Sequence, residues 1–468
     1  MNGRMLVLLT LIAFGISVSG CSNYSPSSGV MPPGTQGANV TMTIGDAPPA
    51  GVTVLSFEVT VNGATLNPGG YPLIANPTKI EVKKLETDSA FLSSVNVPAG
   101  MYQSVTISLT NPELTILNQS GAAIGNCANN AVCELSPAAA GNITFSGAPF
   151  PINLQTGNPL GLRVDVNVAA LVTNSLNLDF NASGAVTAAQ LPLPGQASDH
   201  LDELDDLFGS VMNLSGTNST FTLHTATGDF PIQANSNTEF EFESCAANNF
   251  TCLQNSTVVK VDAEVMSGGV LIARKIEFED DAADNELEGT VFKVDDTMHF
   301  EMVVLGELST MNGLNLGNPV VVTLSSPTFQ VETDGLSVPS AFQGAFESAT
   351  DTSQLLVGQI VEIRLSAPPA AGLPIAVTAN RVRLRTSQVT ATVSGAPASP
   401  NFTLGNLPSL FTSAGITSIR VQTSSATEFD GVSSLAGLAD QNVVSVRGLL
   451  FNNGGNSPVL IADKVRKR

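Results

Sequence analysis

The chain has 468 residues, which is enough for about three or four domains. Its 19 basic and 40 acidic residues give a net charge of −21, which argues against a nucleic-acid-binding protein because such proteins need a basic surface. Only 13% of the residues are charged, and Ser, Thr, Asn and Gly replace the missing charge, as is common in extracellular β-proteins.

The first 20 residues have the pattern of an export signal. Arg4 gives a positive start, residues 5–16 form an apolar run, and Val18-Ser19-Gly20 supplies small residues before Cys21. The apolar run is too short to cross a bilayer, which needs about 20 residues. The alternatives are an ordinary secretory signal with a chance cysteine, or a short anchor helix.

The sequence Val18-Ser19-Gly20-Cys21 resembles the bacterial lipobox, in which the cysteine is lipidated. This resemblance implies that Cys21 carries acyl chains, which are stable anchors when two or more are present. Ser22, in place of Asp, favours an outer-membrane location. Residues 21–37 are rich in Ser, Pro and Gly and are predicted to be a flexible tether.

Residues 38–190 show the alternation and turn punctuation of a β-sandwich. Residues 105–109 alternate apolar and polar side chains, and turn signals such as Pro68-Gly69-Gly70 separate such runs. The spacing predicts a sandwich of about 150 residues.

Three motifs in this region are similar to a known family. They are Gly45-Asp46-Ala47-Pro48 with the strand before it, residues 97–105, and residues 176–180. Together they resemble the domain of unknown function 4382 family over residues 38–185, which implies an exported β-sandwich with no established ligand. Asp46 is interpreted as a turn former that caps backbone amides.

The four cysteines that follow Cys21 form two close pairs, Cys127/Cys133 and Cys245/Cys252. Four cysteines allow three connectivities, of which local pairing is the simplest. Metal or redox roles are the alternatives, but neither pair has zinc-ligand spacing. Two disulfides that each close a small loop are therefore predicted, in agreement with an oxidising compartment.

A short linker helix is predicted over residues 198–210. Leu201, Leu204 and Leu207 recur at helical spacing, with acidic residues between them. The helix is interpreted as docking one domain on the next. A cation site that includes His200 is the alternative.

The remainder contains a threefold repeat, which three anchors reveal. The first is Thr238-Glu239-Phe240, recurring at 327–329 and 427–429. The second is an alternating strand at 259–265, recurring at 360–365 and 443–448. The third is an Ala-spacer-basic-β-branched-charged pattern, with the segments 271–277, 377–383 and 460–466.

These units resemble the domain of unknown function 5666 family, which occurs in tandem in exported proteins. The resemblance implies small barrels of the oligonucleotide/oligosaccharide-binding (OB) type, each with its own core. The predicted repeats are residues 211–280, 285–386 and 387–468. The fold class expected is therefore all-β, with one sandwich followed by three small barrels.

Catalytic motifs are absent from the sequence. His224 and His299 lie in alternating strands, where solvated or paired positions are favoured over catalytic ones. No serine-nucleophile elbow, zinc helix or phosphate-binding loop is found. A glycosidase that uses paired carboxylates stays possible by motif, but the chain has no Trp and only three Tyr with which to grip sugars.

One acidic cluster follows the first repeat and is a candidate calcium site, since Ca²⁺ prefers oxygen ligands. A solvated linker is the alternative, because the spacing fits no known calcium loop. The candidate ligands are Glu279, Asp280, Asp281, Asp284 and Glu286.

The sequence thus predicts a non-enzymatic, lipid-anchored stalk of domains in series that binds a partner or scaffolds an envelope assembly. The expected partners are the membrane, through lipid on Cys21, and an envelope protein or polysaccharide. No cofactor is expected apart from the candidate calcium. The alternatives are a carbohydrate- or cell-wall-binding accessory lipoprotein and a hydrolase that uses carboxylates.

Overall fold

Almost every element of the structure, which is a computed structural model, is a β-strand. The chain is therefore all-β, as the sequence predicts. No helix within the described residues is long and apolar enough to span a bilayer. The described residues are 6–10, 37–45, 52–74, 77–85, 87, 93–137, 141–156, 160–166, 171, 176–182, 185–191, 203–225, 228–242, 245–265, 271–278, 286–307, 314–333, 335–367, 369, 375–454 and 458–467.

The N-terminal domain is a sandwich of two sheets. One has the strand order β13-β12-β1-β2-β6; the other has the order β10-β8-β3-β4, with β5 added on β3 and β9 on β8, while β7 pairs with β11. Phe57, Ile116 and Leu162 meet between the sheets in its core. The strands are β1 (Leu6–Thr10), β2 (Gly37–Gly45), β3 (Val52–Asn67), β4 (Tyr71–Pro72), β5 (Thr78–Glu81), β6 (Ser93–Pro98), β7 (Gly100–Tyr102), β8 (Ser104–Asn118), β9 (Val132–Leu135), β10 (Gly141–Phe145), β11 (Ile152–Leu154), β12 (Leu160–Val166) and β13 (Val186–Leu191).

Strand β1 lies within the segment that the sequence predicts to be an export signal, and it pairs with β2 and β12. Residues 11–36, which include Cys21 and nearly all of the predicted tether, lie outside the described residues.

A buried tyrosine holds the turn between β6 and β8. The Tyr102 hydroxyl donates a hydrogen bond to the carbonyl of Pro98 over 2.8 Å, as in the tyrosine corner of other sandwiches. Burial and the neighbouring Tyr71 raise the pKa of Tyr102 to about 12, so the phenol stays a donor at any ordinary pH.

Barrel 1 (residues 203–278) is a closed ring of strands in the order β16-β15-β14-β18-β19, where a parallel pairing of β16 with β19 closes the ring and β17 adds to β19. Its strands are β14 (Glu203–Ser215), β15 (Thr220–Thr225), β16 (Gly228–Gln233), β17 (Glu239–Glu241), β18 (Val258–Val265) and β19 (Leu271–Phe278). A 3-10 helix spans Phe250–Cys252.

The linker helix predicted at 198–210 is wrong from residue 203 onward, because β14 begins there. Leu204 lies opposite Ala263 and Leu207 opposite Val261, with a register shift between the two leucines. The bulge adds one residue to β14, so that positions three apart on β14 pair with positions two apart on β18. This spacing imitates a helix. His200 lies outside the described residues.

Barrel 2 (286–385) and barrel 3 (387–467) repeat this topology. Barrel 2 closes in the order β20-β21-β22-β24-β23, and barrel 3 in the order β27-β26-β25-β29-β30, with β28 added on β30. Their strands are β20 (Glu286–Val294), β21 (His299–Glu307), β22 (Pro319–Val331), β23 (Ile360–Leu365), β24 (Ile375–Arg385), β25 (Ser387–Val393), β26 (Asn401–Gly405), β27 (Ile419–Gln422), β28 (Glu428–Asp430), β29 (Val443–Phe451) and β30 (Val459–Lys467). Two short helices, α1 (Ser340–Glu347) and α2 (Ser409–Ser413), lie in loops of barrels 2 and 3.

The five ring strands of each barrel are counted in chain order, without the added strands β17 and β28. The ring order is then first, second, third, fifth and fourth strand, and the third and fifth strands run parallel. This is the Greek-key arrangement of an OB-type barrel. In this arrangement the segment of the first sequence anchor pairs with the segment of the third. The anchor phenylalanine lies opposite the anchor β-branched residue in the pairs Phe240–Ile276, Phe329–Val382 and Phe429–Val465.

The domains do not follow one another simply in series. Leu55 and Leu117 of the N-terminal domain belong to a core that also contains side chains of barrels 2 and 3. Phe451 of barrel 3 likewise packs into the core of barrel 2. The core of barrel 1 consists of its own residues. The N-terminal domain thus reaches past barrel 1 to contact the last two barrels.

Candidate functional site at the joint of three domains

Of the five residues predicted for a calcium site, the structure describes only Glu286. Glu279, Asp280, Asp281 and Asp284 lie outside the described residues. The carboxylate of Glu286 is buried and accepts hydrogen bonds from Arg364 and Arg381. Because its Oε1 is bound by two guanidinium groups, Glu286 belongs to an ion-pair network. Across the described residues no three His, Cys, Asp or Glu side chains gather into a metal-binding group.

Both cysteine pairs form disulfides in the structure. The bond between Cys127 and Cys133 ties the loop after β8 to β9. The bond between Cys245 and Cys252 ties the loop after β17 to the 3-10 helix of barrel 1. These are the local pairings that the spacing predicts.

The two described histidines lie at the surface and pair with aspartates. His224 Nδ1 is 2.5 Å from Asp229, and His299 Nδ1 is 2.8 Å from Asp296. The Met298 backbone N–H and the His299 side chain hold the pKa of Asp296 below its ordinary value. Both pairs are exposed to solvent. The sequence predicts solvated or paired positions for these two histidines.

A cluster of charged side chains lies on the part of the outer face of barrel 2 that β20, β23 and β24 form. Arg381 binds both Glu286 and Glu362, and Arg383 lies 3.0 Å from Glu362. The cluster consists of Glu286, Glu288, Glu332, Glu362, Arg364, Arg381, Arg383 and Arg385. Each buried carboxylate has a cationic partner, which is the condition under which buried charge is tolerated.

The centre of the joint between the N-terminal domain and the barrels is apolar. Leu55 and Leu117, on the outer face of the β3–β8 pair, pack with Val303 of barrel 2 and Phe411 of barrel 3. Val303 is 0% exposed although it lies on the outer face of its strand. The apolar contact therefore removes the outer surface of barrel 2 from water.

Hydrogen bonds surround this apolar centre. The Thr115 hydroxyl donates to the carbonyl of Gly317 over 2.6 Å, and the Asn318 amide donates to Glu134 over 2.8 Å. On the barrel 3 side, the hydroxyl oxygens of Thr53 and Ser409 lie 3.1 Å apart. The joint has the apolar centre and polar rim of a specific protein interface.

A second contact is made by the 3-10 helix at Val82–Leu85, which follows β5. The Lys84 ammonium lies 2.6 Å from Glu288 of barrel 2. The Gln388 amide of barrel 3 donates to the carbonyl of Lys84 over 2.8 Å and accepts from the backbone N–H of Thr87 over 3.1 Å. One short segment of the N-terminal domain thus binds both barrels.

The same outer face differs in character among the three barrels. On the second strand of barrel 1, Thr220, Thr222 and His224 alternate with core residues and are at least partly exposed. On the second strand of barrel 3 the outward residues are Asn401, Thr403 and Gly405. Barrel 2 instead has Val303 and Leu305, both buried. Among the residues that the structure describes, this face is apolar and covered by another domain in barrel 2 and not in barrels 1 and 3.

The joint was not predicted, but the sequence carries a sign of it. Residues 302–305 read Met-Val-Val-Leu, an apolar run with no alternation. Such a run indicates a strand that is buried on both faces. The partner that buries it lies more than 180 residues earlier in the chain, and no local pattern points to it.

Family models match the chain in three places. The domain of unknown function DUF4382 matches residues 37–193, and the domain of unknown function DUF5666 matches residues 209–277 and 406–466. These matches cover the sandwich, barrel 1 and most of barrel 3, as the sequence motifs indicate.

No curated protein matches the chain. Among solved structures, Drosophila Unr CSD456 is similar at 8% identity, covering 57% of this chain and 98% of its own, with a TM-score of 0.13. A similarity at that TM-score carries no structural or functional argument.

Proposed function

We propose that this chain is an exported, lipid-anchored protein of the cell envelope. The proposal starts from its combination of a DUF4382 match in the sandwich with DUF5666 matches in the barrels. In this proposal it acts without catalysis, as a module that binds a partner or scaffolds an assembly. The N-terminal domain and barrels 2 and 3 form the platform, and barrel 1 carries the free binding face.

The observation that carries this proposal is the exposed face of barrel 1. Met212 on β14, Thr222 on β15 and Pro231 on β16 form a row across three neighbouring strands. Met212 is 42% exposed. Beside this row, His224 lies opposite Ser210 and Asp229. The result is an apolar centre with polar neighbours on a closed sheet, which suits a partner surface.

The absence of a catalytic grouping within the described residues supports a non-enzymatic role. The buried carboxylates Glu286 and Glu362 are neutralised by arginines, Glu58 is paired with Lys79, and the two histidines within the described residues each contact one exposed aspartate. Turnover of a glycan by the purified chain, lost on substitution of a single carboxylate, would instead establish the hydrolase alternative.

The membrane anchor rests on Cys21 and is tested there. We expect Cys21→Ala to abolish labelling by radioactive palmitate and to move the protein from the membrane fraction to the soluble exported fraction. Ser22→Ala, next to the modified residue, is the control and should keep the label. Persistent labelling of Cys21→Ala would remove the lipid anchor from the proposal.

The binding role is tested by a photo-crosslinking amino acid placed at position 222 in living cells. We expect an intermolecular cross-link from position 222 and only an intramolecular one from position 303, which is buried under the N-terminal domain. If position 222 gives no adduct, and purified envelope polysaccharide does not bind either, the proposed function fails.

The carbohydrate-binding alternative is favoured by the hydroxyl groups of Thr220 and Thr222 on the same face. Saturable binding of purified cell-wall polysaccharide, lost in Thr222→Arg and kept in Thr403→Arg of barrel 3, would establish that alternative.

A further inference from the structure

We propose that the exposed face of barrel 1 binds the outer face of a β-sheet in another exported protein, in the way that barrel 2 binds the N-terminal domain. This inference rests on the proposed function and names the class of partner that the free face takes. Barrels 1, 2 and 3 present the same surface position with three different side chains, and one of the three has its partner in the structure.

A shared backbone hydrogen bond aligns the three barrels residue by residue. In each barrel a valine of the first ring strand donates its N–H over 2.8 Å to the carbonyl of the residue just before the fourth ring strand. The three bonds run from Val211 to Thr257, from Val291 to Gln359 and from Val393 to Asn442. The residues that follow these valines therefore occupy equivalent positions, and they are Met212, Phe292 and Ser394.

A close approach of two strands aligns barrels 1 and 2 a second time. A methyl group at Gly209 would clash with the carbonyl of His224, and one at Gly289 would clash with the carbonyl of Val303. Each glycine precedes its aligned valine by two residues. His224 of barrel 1 therefore occupies the position that Val303 has in barrel 2.

In barrel 2 these two positions form a docking surface. Phe292 is 7% exposed and Val303 is 0% exposed, and both belong to the buried cluster that contains Leu55 and Leu117 of the N-terminal domain. The sheet face that carries the two leucines also carries hydroxyl groups, of which Thr115 donates to barrel 2. The occupant of this surface is thus the outer face of an antiparallel strand pair, β3 and β8, with aliphatic side chains among threonines.

In barrel 1 the equivalent surface keeps an apolar centre and is open to solvent. Met212 is 42% exposed, and the exposed pair of His224 and Asp229 lies beside it. In barrel 3 the same position holds Ser394, which is exposed and polar. Since methionine side chains adapt to varied apolar surfaces, barrel 1 retains a contact position that barrel 3 lacks.

The loop between the second and third ring strands borders this surface. In barrel 2 residues 308–318 lie between β21 and β22, and Gly317 of this loop accepts the hydrogen bond from Thr115. In barrel 1 only residues 226 and 227 lie between β15 and β16. A partner sheet on barrel 1 can therefore extend across β16, where Pro231 is exposed.

The partner is a different protein and not a second copy of this chain. Leu55 and Leu117 are 1% and 7% exposed, so the sheet face that fits barrel 2 is already occupied within each copy. The partner has to place an aliphatic side chain against Met212 and a hydrogen-bond donor against Asp229, which is 63% exposed. A sheet face on which leucine or valine lies among threonine or serine meets both needs.

The test places p-benzoylphenylalanine at position 222, next to Met212, in the full-length chain in living cells. The adduct is digested, and the cross-linked residues are identified by mass spectrometry. We expect a protein adduct whose cross-linked residues share one face of a β-sheet. They should lie at alternate positions of one strand or opposite one another on neighbouring strands.

Met212→Asp, in the same cross-linking chain, tests the apolar centre. We expect the yield of the adduct to fall more than tenfold, because docking would bury a carboxylate that has no cationic partner. Ser394→Asp, at the equivalent position of barrel 3, is the matched control and should leave the yield unchanged. If Met212→Asp does not fold, Met212→Gln gives the same comparison with a side chain of similar length.

The outcomes separate this inference from the function on which it rests. An adduct from position 222 that maps to a helix, an unstructured segment or a glycan overturns the sheet partner and leaves a binding role for barrel 1. A yield that Met212→Asp does not change overturns it as well. The absence of any adduct, together with no binding of polysaccharide, removes the proposed function and the sheet partner together.

Discussion

Two buried threonines show what the repeated sequence anchors do at the scale of single residues. The Thr238 hydroxyl donates to the carbonyl of Ala273 over 2.7 Å and accepts from the backbone N–H of Asn235. In barrel 3, Thr427 donates to Ala462 over 2.8 Å and accepts from Ser424. In barrels 1 and 3 the threonine of the first anchor is thus bonded to the alanine of the third, and this bond fixes the start of the added strand, β17 or β28, beside the fifth strand of the ring.

We expect Thr238→Val and Thr427→Val each to lower the free energy of unfolding by about 1–3 kcal/mol, because each leaves a buried carbonyl and a buried N–H without a partner. Denaturant titration measures this. Thr328→Val in barrel 2 is the matched control, since that hydroxyl is exposed and 3.4 Å from the carbonyl of Asn380. An equal loss in Thr328→Val would contradict this role of the anchor threonines.

At the scale of strands, ion pairs connect β20, β23 and β24 on the outer face of barrel 2. Glu286 and Glu362 are 1% and 4% exposed, so each depends on its arginine partners. In barrel 1, burial acts to raise the pKa of Glu277, but Lys260 and Lys275 outweigh burial and lower that pKa. Opposite charges across neighbouring strands are therefore a shared device of these barrels.

We expect Arg381→Met to lower the free energy of unfolding by about 3 kcal/mol, because it leaves buried carboxylates with too little countercharge. Lys293→Met is the control: Lys293 pairs with Asp295 and Glu301 but is 56% exposed, so its loss should cost about 1 kcal/mol or less. Adding Glu286→Gln to Arg381→Met should recover part of the loss in thermal unfolding. Equal effects of Arg381→Met and Lys293→Met would show that burial does not decide the cost.

At the scale of the whole molecule, barrels 2 and 3 are joined by a close approach at Gly358. Gly358 has a φ of +84°, and a methyl group there would lie 2.3 Å from the Phe411 ring of barrel 3. The Gln359 side chain also donates to the carbonyl of Leu450 over 2.7 Å. The turn before β23 therefore contacts both the α2 helix and β29.

Gly335→Ala and Gly358→Ala form a matched pair that tests this contact. Both glycines have left-handed backbone angles, +78° and +84°, but a methyl group at Gly335 has open space around it. We expect Gly335→Ala to cost about 1–2 kcal/mol from the backbone alone. Gly358→Ala should cost clearly more, as measured by denaturant unfolding of the full chain. Equal costs would mean that the two barrels do not depend on this contact.

Much of the fold could be predicted because it depends on local sequence patterns. Alternating strands and turn residues identified the sandwich, and the anchors identified all three barrels, including barrel 2, which lies outside the DUF5666 matches at residues 209–277 and 406–466. The error at 203–208 arose because a bulge spaces Leu204 and Leu207 as a helix does. The arginine partners of Glu286 could not be predicted, because they lie 78 and 95 residues away in sequence.

The sequence by itself determined the all-β class, the repeat and the local disulfides, because each depends on residues that are near in the chain or on a pattern that recurs. Only the tertiary structure decided that the N-terminal domain docks on barrels 2 and 3 and leaves barrel 1 with a free face. That arrangement depends on shape and apolar surface matching between β3–β8 and β21, which are separated by the whole of barrel 1 in the sequence. Such matching exists only after each domain has folded, and no spacing of residues encodes it locally.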